Sequence, residues 1–160
     1  MKNLVSFVQE HLEDDVTRLI LDRAKWPEID MELAAACIES RRKLKNKVQE
    51  WYANPELVFP VRLSAEQCSS TATGLYKSAL AERIADKEKF RLADLTGGLG
   101  VDSWFFSKRA EKILYNEMQK PLCNAAEHNF EALGSDNIVI SNNIASTETI
   151  DGLLGGFNPD

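Results

Sequence analysis

The string Leu92-Ala93-Asp94-Leu95-Thr96-Gly97-Gly98-Leu99-Gly100-Val101-Asp102 narrows the folds open to this chain more than any other stretch. An apolar run ends in an acid and passes straight into a glycine-rich turn, where backbone can take left-handed conformations and approach a ligand closely. Before the turn, Phe90 to Ala93 reads as a strand. After it, Val101 to Arg109 carries the spacing of an amphipathic helix. A strand, a glycine turn and a helix in this order form the nucleotide-facing corner of a βα unit. The alternative is a plain strand-to-helix turn in which Asp94 only caps local backbone.

Spacing separates the two nucleotide-fold patterns that use such turns. A dinucleotide-binding turn needs G-x-G-x-x-G, its third glycine allowing close packing of helix on sheet. Counted from Gly98 and Gly100, that third place is Ser103. Asp94 stands four residues before Gly98, and a carboxylate there suits a cationic ligand end and repels a pyrophosphate. The following segments extend the pattern. Lys112 to Glu117 reads as a second short strand ending in an acid, whose carboxylate can accept hydrogen bonds from both hydroxyls of a ribose. Pro121 to Leu133 has a helical period with Gly134 as its stop, and Asn137 to Ile140 is a third strand rich in β-branched residues. The expected fold class is therefore α/β, a helical N-terminal domain followed by the first half of a Rossmann-like doubly wound sheet.

The string DLTGGLG resembles the first motif of class I S-adenosylmethionine-dependent methyltransferases, D-x-x-x-G-x-G, with Asp94, Gly98 and Gly100 at the matching positions. The resemblance covers residues 90–141. It implies S-adenosylmethionine as cofactor, held by Asp94, Thr96, Gly98, Gly100 and Asp102 around the turn and by Glu117 at the ribose. The family commonly has an acid just past the third strand, against the adenine amino group. Asn143 stands there, and its amide oxygen can accept the same bond without charge assistance; a simple polar turn at Asn142 and Asn143 is the competing reading. The string SAEQCSSTATGLYKSAL is similar to a segment preceding the cofactor motif in RNA methyltransferases with a helical N-terminal extension, the group with a THUMP-like domain. In that group this helix walls the site, which makes Gln67, Ser69, Ser70, Thr71 and Lys77 candidate lining residues. The alternative is a helix whose hydroxyls face water.

Residues 3–86 read as helices, with Leu4, Val5, Val8 and Leu12 on one face, Val16, Leu19 and Ile20 on the next, and Ala34, Ile38, Leu44, Val48 and Trp51 recurring after the break at Pro27. Ser64-Ala65-Glu66-Gln67 has the form of a capping box and opens a helix expected to run to about Ile84. The expected domains are residues 1–62, helical, and residues 63–160, a connecting helix plus a partial cofactor-binding domain. Five cations in seven residues, Arg41, Arg42, Lys43, Lys45 and Lys47, make either a phosphate-contacting patch or a solvated helix face.

Composition sets the outer bounds. With 44% apolar residues in a length of 160 the chain is not a disordered one, and its net charge of −6 excludes an autonomous basic nucleic-acid module. Cys37, Cys68, Cys123, His11 and His128 show neither zinc spacing nor a disulfide framework, so no metal is expected. Met1 to Leu12 is interrupted by Gln9, Glu10 and His11 and is neither a signal peptide nor a membrane span; a cytoplasmic enzyme without membrane contact is expected. Asn158-Pro159 is preceded by Gly155-Gly156 rather than an apolar run, and reads as a loop leading toward a fourth strand. The chain thus reads as the N-terminal, cofactor-binding part of a larger enzyme, with its catalytic residues and acceptor-side chemistry beyond Asp160. The favoured function is methyl transfer, with RNA as the acceptor. An NAD-type nucleotide binder and a non-enzymatic RNA- or protein-interaction module are the alternatives. The first strand would be left with an open edge, for which a homodimer is the expected partner.

Overall fold

The structure, a computed structural model, describes residues 2–160. The chain divides into two compact units, one running to Gln67 and the other from Cys68.

The first unit is helical. Helices α1 (Lys2–Glu10), α2 (Val16–Leu21), α3 (Met31–Leu44), α4 (Gln49–Ala53) and α5 (Arg62–Gln67) occur in that order, with one 3-10 turn at Arg23–Lys25. Asp15 caps α2 by accepting from the Arg18 N–H, and Asp30 caps α3 by accepting from the Leu33 N–H, each satisfying an orphan donor of a helix start. α3 is the hub, with α1, α2, α4 and α5 all packed on it. Ala34, Ile38 and Leu44 of α3 are buried with Val48, Trp51 and Phe59, as their periodicity requires.

The basic run is a solvated face only in part: Lys43 and Lys45 are exposed, and Arg41 is not. Arg41 is buried, 1% exposed, and its guanidinium donates to the carbonyls of Tyr52, Asn54, Pro55 and Leu57 at 2.7–3.1 Å, with the Phe59 ring 5.2 Å from its carbon. Desolvation holds its pKa below the ordinary arginine value. Arg42 donates to the carbonyls of Leu12 and Asp14, Lys43 pairs with Glu66, Lys47 donates to the carbonyls of Ala65 and Glu66, and Lys45 lies over the Tyr52 ring. Positions three and four apart share a face of a helix, so a run of consecutive cations spreads around it and sends some of them inward.

The second unit begins with α6 (Thr71–Ala85) and continues β1 (Arg91–Asp94), α7 (Val101–Ser107), β2 (Lys112–Asn116), α8 (Lys120–Ala132), β3 (Ile138–Ser141) and α9 (Ile150–Leu154). The single helix expected from Ser64 to Ile84 is two helices. Ser64 lies inside α5, and the cap of α6 is Ser70, whose hydroxyl accepts from the Thr73 N–H at 3.2 Å. The stretch Ser69-Ser70-Thr71 offers hydroxyls that compete with continued helix, and the chain breaks there.

The three strands are parallel in the order β1-β2-β3. Their register places Leu92, Ile113 and Ile138 in one row. That row packs with Phe90, Ala110, Ala81, Ala85 and Phe106. Two residues along β2, Tyr115 points to the same face and meets Phe130 of α8. Both crossover helices therefore cover one face, which is what two successive right-handed crossovers in the same direction produce. α9 was not foreseen. At the chain's last residue, the Asp160 N–H donates to the Arg91 carbonyl and its carboxylate accepts from the Arg91 N–H, both at 2.9 Å, so this loop does lie along β1.

Candidate functional site

The carboxyl ends of the three strands meet at the glycine turn. Gly100 has φ +93 and Gly98 φ +55, left-handed values that favour glycine at both. The turn is fastened to β2. The Gly97 N–H donates to the Asn116 carbonyl at 2.8 Å, the Tyr115 hydroxyl donates to the Gly98 carbonyl at 2.6 Å, and the Gly98 N–H donates to Glu117 Oε2 at 3.0 Å.

The three glycines differ in what surrounds them. A Cβ on Gly97 would lie 2.2 Å from the Tyr115 ring, and one on Gly100 would lie 2.7 Å from Phe130, whereas one on Gly98 would meet only the Thr96 carbonyl, at 3.9 Å. Gly97 and Gly100 are small so that the turn can pack on the protein's own aromatics. Gly98 alone presents bare backbone to open space. Gly100, read from the motif as a ligand contact, is buried and acts through the shape of the turn.

Asp94 closes β1. Its Oδ2 accepts from the Ser103 hydroxyl at 2.6 Å and its Oδ1 from the Thr96 N–H at 3.3 Å. Burial pushes its carboxyl above the ordinary aspartate value, only partly offset by those two donors. Ser103, at the place of the third dinucleotide-motif glycine, is fully buried and engaged with Asp94. Asp102, one position earlier, faces another way. Its Oδ2 pairs with Lys77 Nζ at 2.7 Å and accepts from the Ser69 hydroxyl at 3.0 Å.

Glu117 is buried, 7% exposed, at the end of β2. Its two oxygens accept from the N–H groups of Gly98 and Gln119, and a carboxylate has about four acceptor positions, so two remain for a ligand. Asn143 lies in the loop after β3, with its amide N–H donating to the Ser141 hydroxyl at 2.8 Å. That orientation leaves its amide oxygen as the acceptor for a ligand donor. Asn142 instead donates to the carbonyls of Glu117 and Met118, tying β3's exit loop to β2.

Of the lining residues expected from the helical segment, Ser69 and Lys77 reach the turn through Asp102, and Ser70 is engaged as the α6 cap. Gln67 belongs to the first unit. Three contributors were not read from the sequence. Asn116, 1% exposed, donates through its amide to the carbonyls of Leu95 and Asn143 at 3.0 Å each, and accepts from the Asn143 N–H at 3.1 Å. Met118 and Ile144 are large apolar side chains 65% and 64% exposed, one directly after Glu117 and one directly after Asn143. A polar residue immediately before the terminal acid of an apolar strand was the available signal for the first. No group of ligating side chains suited to a metal occurs among the described residues, and no described helix is long and apolar enough to cross a membrane.

Three parallel strands joined by crossover helices, with the glycine turn at the carboxyl end of β1, form a Rossmann-like α/β fold. No protein-family profile and no curated protein matches the chain. A solved structure from Porphyromonas gingivalis W83, provisionally described as a methyltransferase, matches 99% of this chain at TM-score 0.76 and 27% identity, the match covering 38% of that protein's chain. A methyltransferase from Geobacter sulfurreducens matches at TM-score 0.41 and 18% identity over 83% of this chain and 59% of its own, and an rRNA methylase from Streptococcus thermophilus at TM-score 0.38 and 18% identity over 46% and 45%. Both of these lie too low to carry argument. The chain spans under two-fifths of the length of the Porphyromonas protein.

Proposed function

We propose that this chain is the cofactor-binding part of an S-adenosylmethionine-dependent methyltransferase. The observation that carries the reading is the pairing of Asp94, a half-buried carboxylate with no cation in hydrogen-bond contact among the described residues, with Gly98, whose missing side chain leaves open space beside it. A carboxylate partly withdrawn from water is costly in its charged form, as its raised pKa records, and is stabilised by a ligand ammonium. The methyltransferase description of the Porphyromonas protein supports the same reading.

In this reading Asp94 receives the amino group, Glu117 accepts from the ribose hydroxyls with its two remaining lone-pair positions, and Asn143 accepts from the adenine amino group. Met118 and Ile144 offer apolar surface to the base. The chemistry that bound S-adenosylmethionine supplies is a methyl group on a sulfonium, open to in-line displacement. The residues of this chain act by positioning, which accounts for much of the barrier reduction in a two-substrate transfer. Ser103, fully buried on Asp94, argues against an NAD-type turn, in which a glycine at this place allows the helix to pack closely on the sheet.

RNA is the acceptor class we propose, on the sequence similarity of the Ser64 to Leu80 segment. Its phosphates would be met by cations other than Arg41, which is buried on four carbonyls.

Titration calorimetry with S-adenosylhomocysteine tests the cofactor assignment. Binding by the wild type is expected, with a loss of at least tenfold in Asp94→Asn, about 1.4 kcal/mol. Heat from NAD and none from S-adenosylhomocysteine would overturn it.

A further inference from the structure

β2 is buried and apolar from Ile113 to Tyr115, yet its last residue, Asn116, is an amide only 1% exposed. The hydrogen bonds of its side chain run to main chain: Nδ2 donates to the carbonyls of Leu95 and Asn143, and Oδ1 accepts from the Asn143 N–H. Two carbonyls need the amino end and an N–H needs the oxygen, so these partners fix the sense of the amide. In the register of the sheet Asn116 stands opposite Ser141, the last residue of β3. By gripping both backbone groups of Asn143, the Asn116 side chain takes the part of a neighbouring strand two residues beyond the ladder.

Asn143 itself is exposed. With its main chain held by Asn116 and its Nδ2 donating to the Ser141 hydroxyl at 2.8 Å, its amide oxygen is the atom left for a ligand. A carboxylate at this place would need no such hold, because both its oxygens accept; an amide does, because one end accepts and the other donates. We propose that Asn116 and Ser141 are positioning residues that turn the Asn143 amide into a fixed acceptor, and so make the site select a 6-amino purine over a 6-oxo purine. This rests on the cofactor reading above and deepens it, naming what sets the base preference of that site. A 6-oxo base would bring its carbonyl against the Asn143 oxygen, two acceptors with no proton between them. An amide free to turn would offer its amino end instead and take either base.

Calorimetry on the full chain compares S-adenosylhomocysteine with S-inosylhomocysteine, which carries a 6-oxo in place of the 6-amino group. The wild type is expected to prefer the adenine ligand by about tenfold or more. In Ser141→Ala, and in Asn116→Asp, which keeps the shape and the acceptor but has at most one proton to donate, the preference falls to roughly threefold or less, the adenine ligand weakening while the inosine ligand does not. The ratio of the two affinities decides, because a looser loop alone would weaken both ligands alike. Ser141→Ala removes only a partly buried hydroxyl and settles the matter where Asn116→Asp does not fold. A wild type without preference, or an unchanged ratio in a variant that folds, overturns the proposal and leaves the cofactor reading standing. Wild-type protein that binds neither ligand overturns both.

Discussion

At Asp94 stability and binding pull in opposite directions. Burial raises its carboxyl in the folded state. Between the unfolded value of about 3.9 and that raised value, the native state holds the extra proton, so stability falls as pH rises through the window and stays lowered above it. Asp94→Asn keeps the acceptor for the Thr96 N–H, and the Ser103 hydroxyl can accept from the new amide. The variant is expected to melt roughly 2–4 °C higher than wild type at pH 7, the shift that about 1 kcal/mol produces in a chain of this size. The gap should close as the pH falls below about 3.9, the unfolded value, where both states become protonated. Differential scanning calorimetry of unliganded protein at a series of pH values checks this, and a variant no more stable at neutral pH would contradict it. The same substitution removes the charge that the ligand amine needs, so the more stable protein is the weaker binder.

Among the elements, those with strong periodicity were legible in the sequence and those set by side-chain capture of backbone were not. β1, α7, β2, α8 and β3 lie within a residue or two of the expected places, because alternation, helical period and the glycine stops are local signals. The break between α5 and α6 was missed because the capping-box pattern at Ser64 was read as a helix start, whereas Ser64 lies inside α5 and the capping hydroxyl is that of Ser70. α9 was missed because Ile150–Leu154 is too short to show a period. In the site, Asp94, Gly98 and Glu117 were legible from type and spacing. Asn116 was not, since its partners Leu95 and Asn143 are distant in sequence. The basic run of α3 carries the sharpest case. Arg41 gathers the carbonyls that follow α4, where a helix end leaves acceptors unsatisfied. An ammonium has three donors and no planar fork, so even Arg41→Lys is expected to cost about 2–4 kcal/mol, through charged hydrogen bonds lost and carbonyls left dry. Urea unfolding followed by circular dichroism would show it as a lower midpoint at unchanged slope; an unchanged midpoint would mean that water replaces the guanidinium.

For the molecule as a whole, the sheet order leaves β1 at an edge. Beside it runs a groove of about 680 Å³ lined by Ala81, Ile84, Phe90, Leu92, Leu154 and Pro159 among others. An apolar groove along a strand edge invites pairing with another chain. Self-association of this 160-residue chain into a two-fold dimer is expected at high micromolar concentration by light scattering. Ile84, 73% exposed at the groove, is the place to interrupt it, and Ile84→Glu should restore the monomer mass. A wild type that stays monomeric would show that the edge is sufficiently covered as it stands. The opposite end of the sheet has a different character. The Asn116 side chain binds the loop after β1 and the loop after β3 at once, from inside the sheet. Neither loop can swing outward without breaking an amide contact that both share, so the two rims of the cleft keep common time. Their opening is expected on the slow clock of strand fraying rather than the fast one of surface segments. With the cofactor bound as proposed, exchange is expected to proceed past side chains that rotate, such as the exposed Met118, and not by a hinge of the backbone.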